Sequence, residues 1–375
     1  MMGSYAVPFL DFSGIHGPLR EEFGQAFQAF LERQWYVLGS EVSRFESDYA
    51  QYIGQGHSIG VGSGMAALHL ALIAQGIGPG DQVIVPANTY VATWLAVAYT
   101  GAELVPVDPD PWTANLSASG IQRAISDRTK AVIPVHLYGM PCPMPEIMDL
   151  ARQKNLIVIE DNAQAHGARL GTKMTGSFGH ANAHSFYPTK ILGALGEAGA
   201  ITTDDDGIAG QLRMLRNYGQ RERYQNEVIG YNYRLDELQA ALLNVKLKYL
   251  DVWLEERHRL AARYDQGLAD LPGLRLPPEV KDGRHAYYLY VIHTDQREAL
   301  QVWLKEKRIE TIVHYPIPPH RQQAFAKYGW PEAAFPVANQ LASSCLSLPL
   351  YIGLSEEKQQ SVIDAIQEFW RRYQS

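Results

Sequence analysis

The sequence predicts an α/β protein of two lobes: a large one with a mostly parallel mixed sheet flanked by helices, and a smaller C-terminal α/β one. Three observations predict it. The chain has 375 residues, beyond the size at which one core stops growing. From about residue 57 to residue 216 short apolar runs alternate with helix-period segments, the pattern of a sheet covered by helices. Beyond Asn232 this gives way to a long helical stretch and then a shorter strand and helix pattern. The large lobe is therefore placed at 15–245 and the small one at 246–375, joined by the long helix.

In order, strands are expected at "QVIVP" (82–86), "ELVPV" (103–107), "AVIPV" (131–135), "LIVIE" (156–160), "AHSF" (183–186) and "AITT" (200–203). Between them run the helical patterns "MAALHLALIAQG", "YVATWLAVAYTG", "MPEIMDLARQKN" and "IAGQLRMLRNYG". The stretch "RLDELQAALLNVKLKYLDVWLEERHRLAARYDQGL" reads as one long helix that stops at the proline-bearing "LPGLRLPPEV". The small lobe follows with strand "AYYLYVI" (286–292), helix "REALQVWLKEK", strand "IETIVHY" (309–315) and a last helix from about Glu356. Ligands of such sheets gather outside the carboxyl ends of the strands, so polar residues just past them come first.

Composition removes several classes. Hydrophobic residues make up 46% and charged residues 19%, as in a soluble globular enzyme. The net charge is −7 with basic residues dispersed, which offers nucleic acid no phosphate-binding face. Cys142 and Cys345 make neither a disulfide framework nor a CxxC pair, so no metal is expected and a reducing cytoplasm fits. No run approaches the ~20 apolar residues of a membrane span. The opening "MMGS" reads as added to the natural chain, without an export signal or a myristoylation pattern.

Five features bear on chemistry. In "GVGSGMAALHLALIAQG", Ser63, Gly64 and Met65 open a helix whose free N–H groups suit a phosphate, although an ordinary serine cap reads the same way. Asp161 in "VIEDNAQAHGA" follows an apolar strand, where a buried carboxylate needs a cation or several donors, unless it caps a following helix. Gln164 and His166 beyond it orient a ligand or fill a turn. Tyr90 in "PANTYVATWLAV" is a stacking plate or a core residue, and Asn232 in "GYNYRLDELQAALL" reads as a helix cap. Lys190, in "SFYPTKILGALGEAGAI", lies 29 residues past Asp161, far enough for a neighbouring strand to bring both into one cleft. A phosphate cradle, an aromatic plate, a carboxylate and a primary amine together match pyridoxal 5′-phosphate, whose aldehyde takes a lysine and whose pyridine nitrogen takes a carboxylate.

Read in order, "VPFLD", "EDNAQAHGA", "SFYPTK", "GEAGAI", "LRNYG", "GYNYRLDELQAA", "HYPIPPH" and "SLPLY" resemble the DegT-type nucleotide-sugar aminotransferases, which are fold type I pyridoxal-phosphate enzymes. The resemblance spans nearly the whole chain. It implies that Lys190 is the Schiff-base lysine and proton carrier, Asp161 the partner of the pyridine nitrogen, Gln164 a contact on the phenolic side and Tyr90 the stacking ring. It also implies phosphate contacts from the N–H groups of Gly64 and Met65 and from the Ser185 hydroxyl, with Asn232 reaching in from the other subunit of a homodimer. Met65 stands where many relatives carry threonine, which removes one side-chain contact. Relatives that dehydrate sugars carry histidine at the lysine position, so Lys190 implies transamination. The motifs look more like the enzymes that aminate C3 of dTDP-3-keto-6-deoxyhexoses, with L-glutamate as donor, than like the C4 enzymes. Tyr187, Arg216, Tyr218, Arg223, Tyr224, His314 and Tyr315 then fall near sugar and nucleotide.

The alternatives are amination at C4 and a non-catalytic, regulatory sugar or cofactor binder. A mere scaffold has no need of Lys190, Asp161 and Gln164 together. A third reading, a Rossmann-type dehydrogenase, is weak, since no G-x-G-x-x-G opens a helix with an acidic residue at the right distance.

Overall fold

The computed structural model describes residues 5–373, so the "MMGS" start lies outside the described residues. The Val- and Ile-rich runs between residues 57 and 216 are largely buried on both faces, which is the environment a parallel strand requires. They form β1 (His57–Val61), β2 (Gln82–Pro86), β3 (Glu103–Val107), β4 (Thr129–Val132), β5 (Ile157–Asp161), β6 (Ala181–Ser185) and β7 (Gly199–Thr203). Their order in the sheet is β1-β7-β6-β5-β4-β2-β3. Pairing is parallel from β6 to β3, and β7 lies antiparallel to both of its neighbours. The result is the mostly parallel α/β sheet that the sequence predicts.

Two differences have plain causes. The strand read at 131–135 is set earlier in the chain, because Pro134 has no N–H to give to the ladder. The edge strand β1, "HSIGV", was not expected; it is built by pairing with β7 and not by its own apolar pattern.

Helices cover the sheet. The helix Gly64–Ala74 is buried on nearly every face, and Trp94 of the helix Val91–Thr100 is fully buried with its indole N–H donated to Pro86 O at 3.0 Å. The long helical stretch is two helices, Glu237–Leu247 and Leu250–Leu268. The chain bends at Lys248 and Tyr249, both in right-handed geometry, so no proline or glycine marks the break.

In the C-terminal part β8 (Tyr290–His293) pairs antiparallel with β9 (Cys345–Leu348). The helices Leu250–Leu268, Arg297–Glu306 and Glu356–Tyr373 pack there, with Tyr264, Leu300, Ile366 and Phe369 in one apolar cluster. The segment read as strand "IETIVHY" is not one: it makes single bridges only, Ile309 with Val7 and Ile312 with Ser347. Its alternating pattern is satisfied by two different neighbours, so no continuous ladder forms.

Candidate active site

The sheet delivers β1, β2, β5 and β6 to the same edge, and the loops that leave them enclose a cleft of about 390 Å³. Each loop brings one kind of chemistry.

After β1, the Ser63 hydroxyl accepts the N–H of Ala66 at 3.1 Å and so caps the helix Gly64–Ala74. A Cβ on Gly64 would lie 2.4 Å from Ser185 Cβ, so only glycine lets this helix start rest against the end of β6. A serine cap and an anion site are compatible here: Ser63 takes one N–H, and the helix start rests against Ser185.

Past β6, Lys190 N donates to Tyr187 O at 2.8 Å and Ala194 N to Phe186 O at 2.8 Å, which tightens the loop around the lysine. The buried Lys246 ammonium grips Gly193 O from outside. A Cβ on Gly199 would meet the Ser63 backbone at 2.5 Å, so that glycine is needed for close packing against the phosphate-type loop. Lys190 itself is half-buried, with Nζ 4.3 Å from the centre of the Tyr288 ring.

Asp161 ends β5 and faces the cleft from a buried position. No helix follows it, so it is not a helix cap; its oxygens accept from Thr93 Oγ1 at 2.9 Å and Ala163 N at 3.2 Å. Burial pushes this carboxyl up, while Thr93, Ala163 N–H, Lys190 and His136 pull it back. Gln164 is held at both ends, its oxygen accepting Tyr138 N at 2.6 Å and its amide donating to Tyr315 OH at 3.0 Å. His166 turns into the core instead, stacked on Phe186 at 5.5 Å, and burial with Lys190 nearby pushes it down to about 3.

Tyr90 lines the cleft with 53% of its surface exposed, so it is not a core residue. Met65, Tyr187, His314 and Tyr315 line the cleft as well. Desolvation, then Lys190, pushes His314 down to about 4, so it is neutral at pH 7.

Five predicted residues lie elsewhere. Arg216 is buried, its guanidinium bonded to Glu46 and to Gly60 O, so it ties β1 to the helix Ser40–Ile53 and does not face the cleft. Tyr218 lies under the Arg234 guanidinium, 44% exposed. Arg223 stacks on Tyr224, which is 79% exposed on a hairpin outside the cleft. Asn232 does not cap the helix, which starts at Glu237; it sits exposed in an extended segment bridged to Asn217. Sequence reasoning missed Thr89, Thr93, Thr189, Glu197 and Tyr288, all of which line the cleft. Only Glu197 carried a signal, as a charge inside the glycine-rich exit.

The donors suit pyridoxal phosphate. A helix start beside a serine hydroxyl fits a phosphate, a buried carboxylate fits a ring nitrogen that keeps its proton, and an amine in the same cleft fits an aldehyde. A model of the DegT/DnrJ/EryC1/StrS aminotransferase family matches residues 18–367.

The chain belongs to this family.

This aminotransferase is 45% identical to the dTDP-3-amino-3,6-dideoxy-alpha-D-galactopyranose transaminase of Aneurinibacillus thermoaerophilus, over 97% of this chain and 99% of the relative. It is 44% identical to the dTDP-3-amino-3,4,6-trideoxy-alpha-D-glucose transaminase of Streptomyces venezuelae, over 98% and 97%. Among solved structures, DesV of S. venezuelae in complex with a ketimine intermediate superimposes with a TM-score of 0.96 at 44% identity, covering 98% of this chain and 99% of that one. Among the described residues of the aminotransferase no helix is long and apolar enough to cross a membrane.

Proposed function

We propose that this aminotransferase moves an amino group from L-glutamate to the C3 keto carbon of a dTDP-linked 3-keto-6-deoxyhexose, in a ping-pong cycle with pyridoxal 5′-phosphate held in the cleft. One observation carries the reading: the Lys190 amine and the buried Asp161 carboxylate share a cleft with a helix start that rests on the Ser185 hydroxyl. When bound, the cofactor supplies an electron sink for the carbon that loses or gains a proton. The chain supplies the rest. Gly64 and Met65 N–H groups and the Ser185 hydroxyl hold the phosphate, and the exposed face of Tyr90 supports the ring. Asp161 keeps a proton on the ring nitrogen, and Gln164 orients the phenolic side. Lys190 would hold the aldehyde carbon through its amine and would carry a proton from one carbon to another.

Tyr187, His314 and Tyr315 face the sugar, the neutral His314 adding no charge. Among the described residues that line the cleft, Lys190 is the one lysine or arginine and it is committed to the cofactor, yet a pyrophosphate and a dicarboxylate both call for cations. This favours a homodimer in which Asn232 approaches the phosphate in the second protomer's cleft, with Tyr218, Arg223 and Tyr224 turned toward its nucleotide. The lobes at 15–245 and 246–375 and a cytoplasmic location, suited to two free buried cysteines, belong to the same proposal.

The absorption spectrum with added pyridoxal phosphate, recorded before and after L-glutamate, tests the donor half. The yellow band is expected to fade as 2-oxoglutarate appears in equal amount; a band that glutamate leaves unchanged removes glutamate as donor. With dTDP-3-keto-6-deoxyhexose, amine is expected at C3, and a preference for the 4-keto isomer would move the assignment to C4. Mixed dimers of Lys190→Ala and Asn232→Ala chains are expected to regain activity that neither parent has, through one cleft with both residues intact. Mixed dimers as inactive as their parents contradict the shared cleft.

A further inference from the structure

Behind Asp161 runs a chain of hydroxyls. Thr93, in the first turn of the helix Val91–Thr100, is fully buried with Oγ1 2.9 Å from Asp161 Oδ2, and Thr89 Oγ1 lies 2.9 Å from Thr93 Oγ1. An ionised carboxylate only accepts hydrogen bonds, so Thr93 donates to Asp161 and its own oxygen accepts the Thr89 proton. Both directions follow from the charge on Asp161. Among the described residues the second carboxylate oxygen has only the longer bond from Ala163 N–H, at 3.2 Å.

We propose that Thr93 is a positioning residue for transamination: its hydroxyl, backed by Thr89, holds Asp161 ionised and in the rotamer that faces the cofactor's ring nitrogen. The proposal rests on the role given to Asp161 above. Burial favours the neutral form of Asp161, and the Thr93 bond is foremost among the groups that oppose it, ahead of Ala163 N–H, Lys190 and His136. Hydrogen bonds in such a chain polarise one another in a low dielectric, so Thr89 strengthens the contact it does not itself make. Spacing adds a second link. Tyr90 and Thr93 are three residues apart, so one helix start presents the exposed ring that supports the cofactor and the donor that fixes its counter-charge.

Thr93→Val keeps the branched shape and deletes the donor, whereas Thr93→Ser keeps the donor. With pyridoxal phosphate carrying nitrogen-15 in its ring, the nitrogen chemical shift reads protonation without turnover. Wild type and Thr93→Ser are expected at the protonated position, with Thr93→Val displaced toward the unprotonated one. In Thr93→Val, kcat is expected to fall about 10- to 100-fold, the loss of one hydrogen bond to a charged group, with KM for glutamate little changed. Thr89→Val, which leaves Thr93 in place, is expected to move the shift the same way by less. An unchanged nitrogen shift in Thr93→Val overturns the proposal, as does a Thr93→Ser variant as impaired as Thr93→Val. If the wild-type nitrogen is unprotonated, or Asp161→Asn leaves its shift alone, the role of Asp161 itself is wrong and the role of Thr93 falls with it.

Discussion

Lys190→Ala is expected to lose transamination by about 10²- to 10⁴-fold while keeping the fold, because the residue carries chemistry and little packing. Its half-buried side chain meets the Tyr288 ring at 4.3 Å, and the loop around it is held by backbone bonds and by Lys246, none of which the substitution removes. Lys190→Arg separates charge from proton transfer. A guanidinium keeps the positive charge beside Tyr288 but does not deprotonate near neutral pH, so it cannot act as a base. The arginine variant is therefore expected to be nearly as inactive as the alanine one. Steady-state kinetics together with thermal unfolding check both points. An arginine variant with near-wild-type kcat would reduce Lys190 to an electrostatic role.

Glu160→Gln is expected to destabilise the protein by about 3 kcal/mol, because its buried carboxylate takes several hydrogen bonds, each worth about 1.5–3 kcal/mol when the acceptor is charged. Successive strand residues point to opposite faces, so while Asp161 faces the cleft, Glu160 points away from it and is fully buried. Its carboxylate accepts His136 Nε2 at 2.7 Å, Gly176 N at 2.8 Å, Gly179 N at 2.8 Å and the N–H of Phe178. His136 Nδ1 accepts Cys142 N–H at 2.9 Å, so the ring proton sits on Nε2 and points at Glu160. Glutamine would turn an NH₂ group toward these donors. Burial alone pushes the Glu160 carboxyl up, but His136 and the backbone N–H groups outweigh it and hold the group below its ordinary 4.5. The sign follows: this stabilisation is complete above the unfolded value of 4.5 and is lost as pH falls through the lower folded value. Urea unfolding at pH 7 is expected to show the full difference between wild type and Glu160→Gln, and that difference is expected to shrink below pH 4.5. A difference under about 1 kcal/mol at neutral pH would contradict the argument.

The legible residues share one property: each stands just past an apolar run. Asp161, Tyr90 and Lys190 break or follow strands whose extended pattern is unmistakable, and strand ends of a mostly parallel sheet share an edge. Thr93 and Tyr288 were hidden because "YVATWLAV" and "AYYLYVI" read as ordinary helix and strand, and nothing local says that a hydroxyl turns outward to a carboxylate 68 residues away. Arg216 misled in the opposite sense. Its place in the motif "LRNYG" suggested a ligand contact, but Glu46, 170 residues earlier, claims it. The bend at Lys248 and Tyr249 left no mark, since the helical period runs across it.

The sequence by itself determined six strands of the sheet and the helices read between them, the sheet class and the chemical inventory of amine, carboxylate, ring and helix start, because local periodicity and residue chemistry are properties of short segments. Only the tertiary structure decided which groups meet. It made β1 a strand by pairing it with β7, withheld a ladder from "IETIVHY", buried Arg216 against Glu46 and set Thr93 behind Asp161. Those outcomes depend on contacts between residues far apart in the chain, where a hydrogen bond or an ion pair is fixed by packing and not by neighbouring sequence.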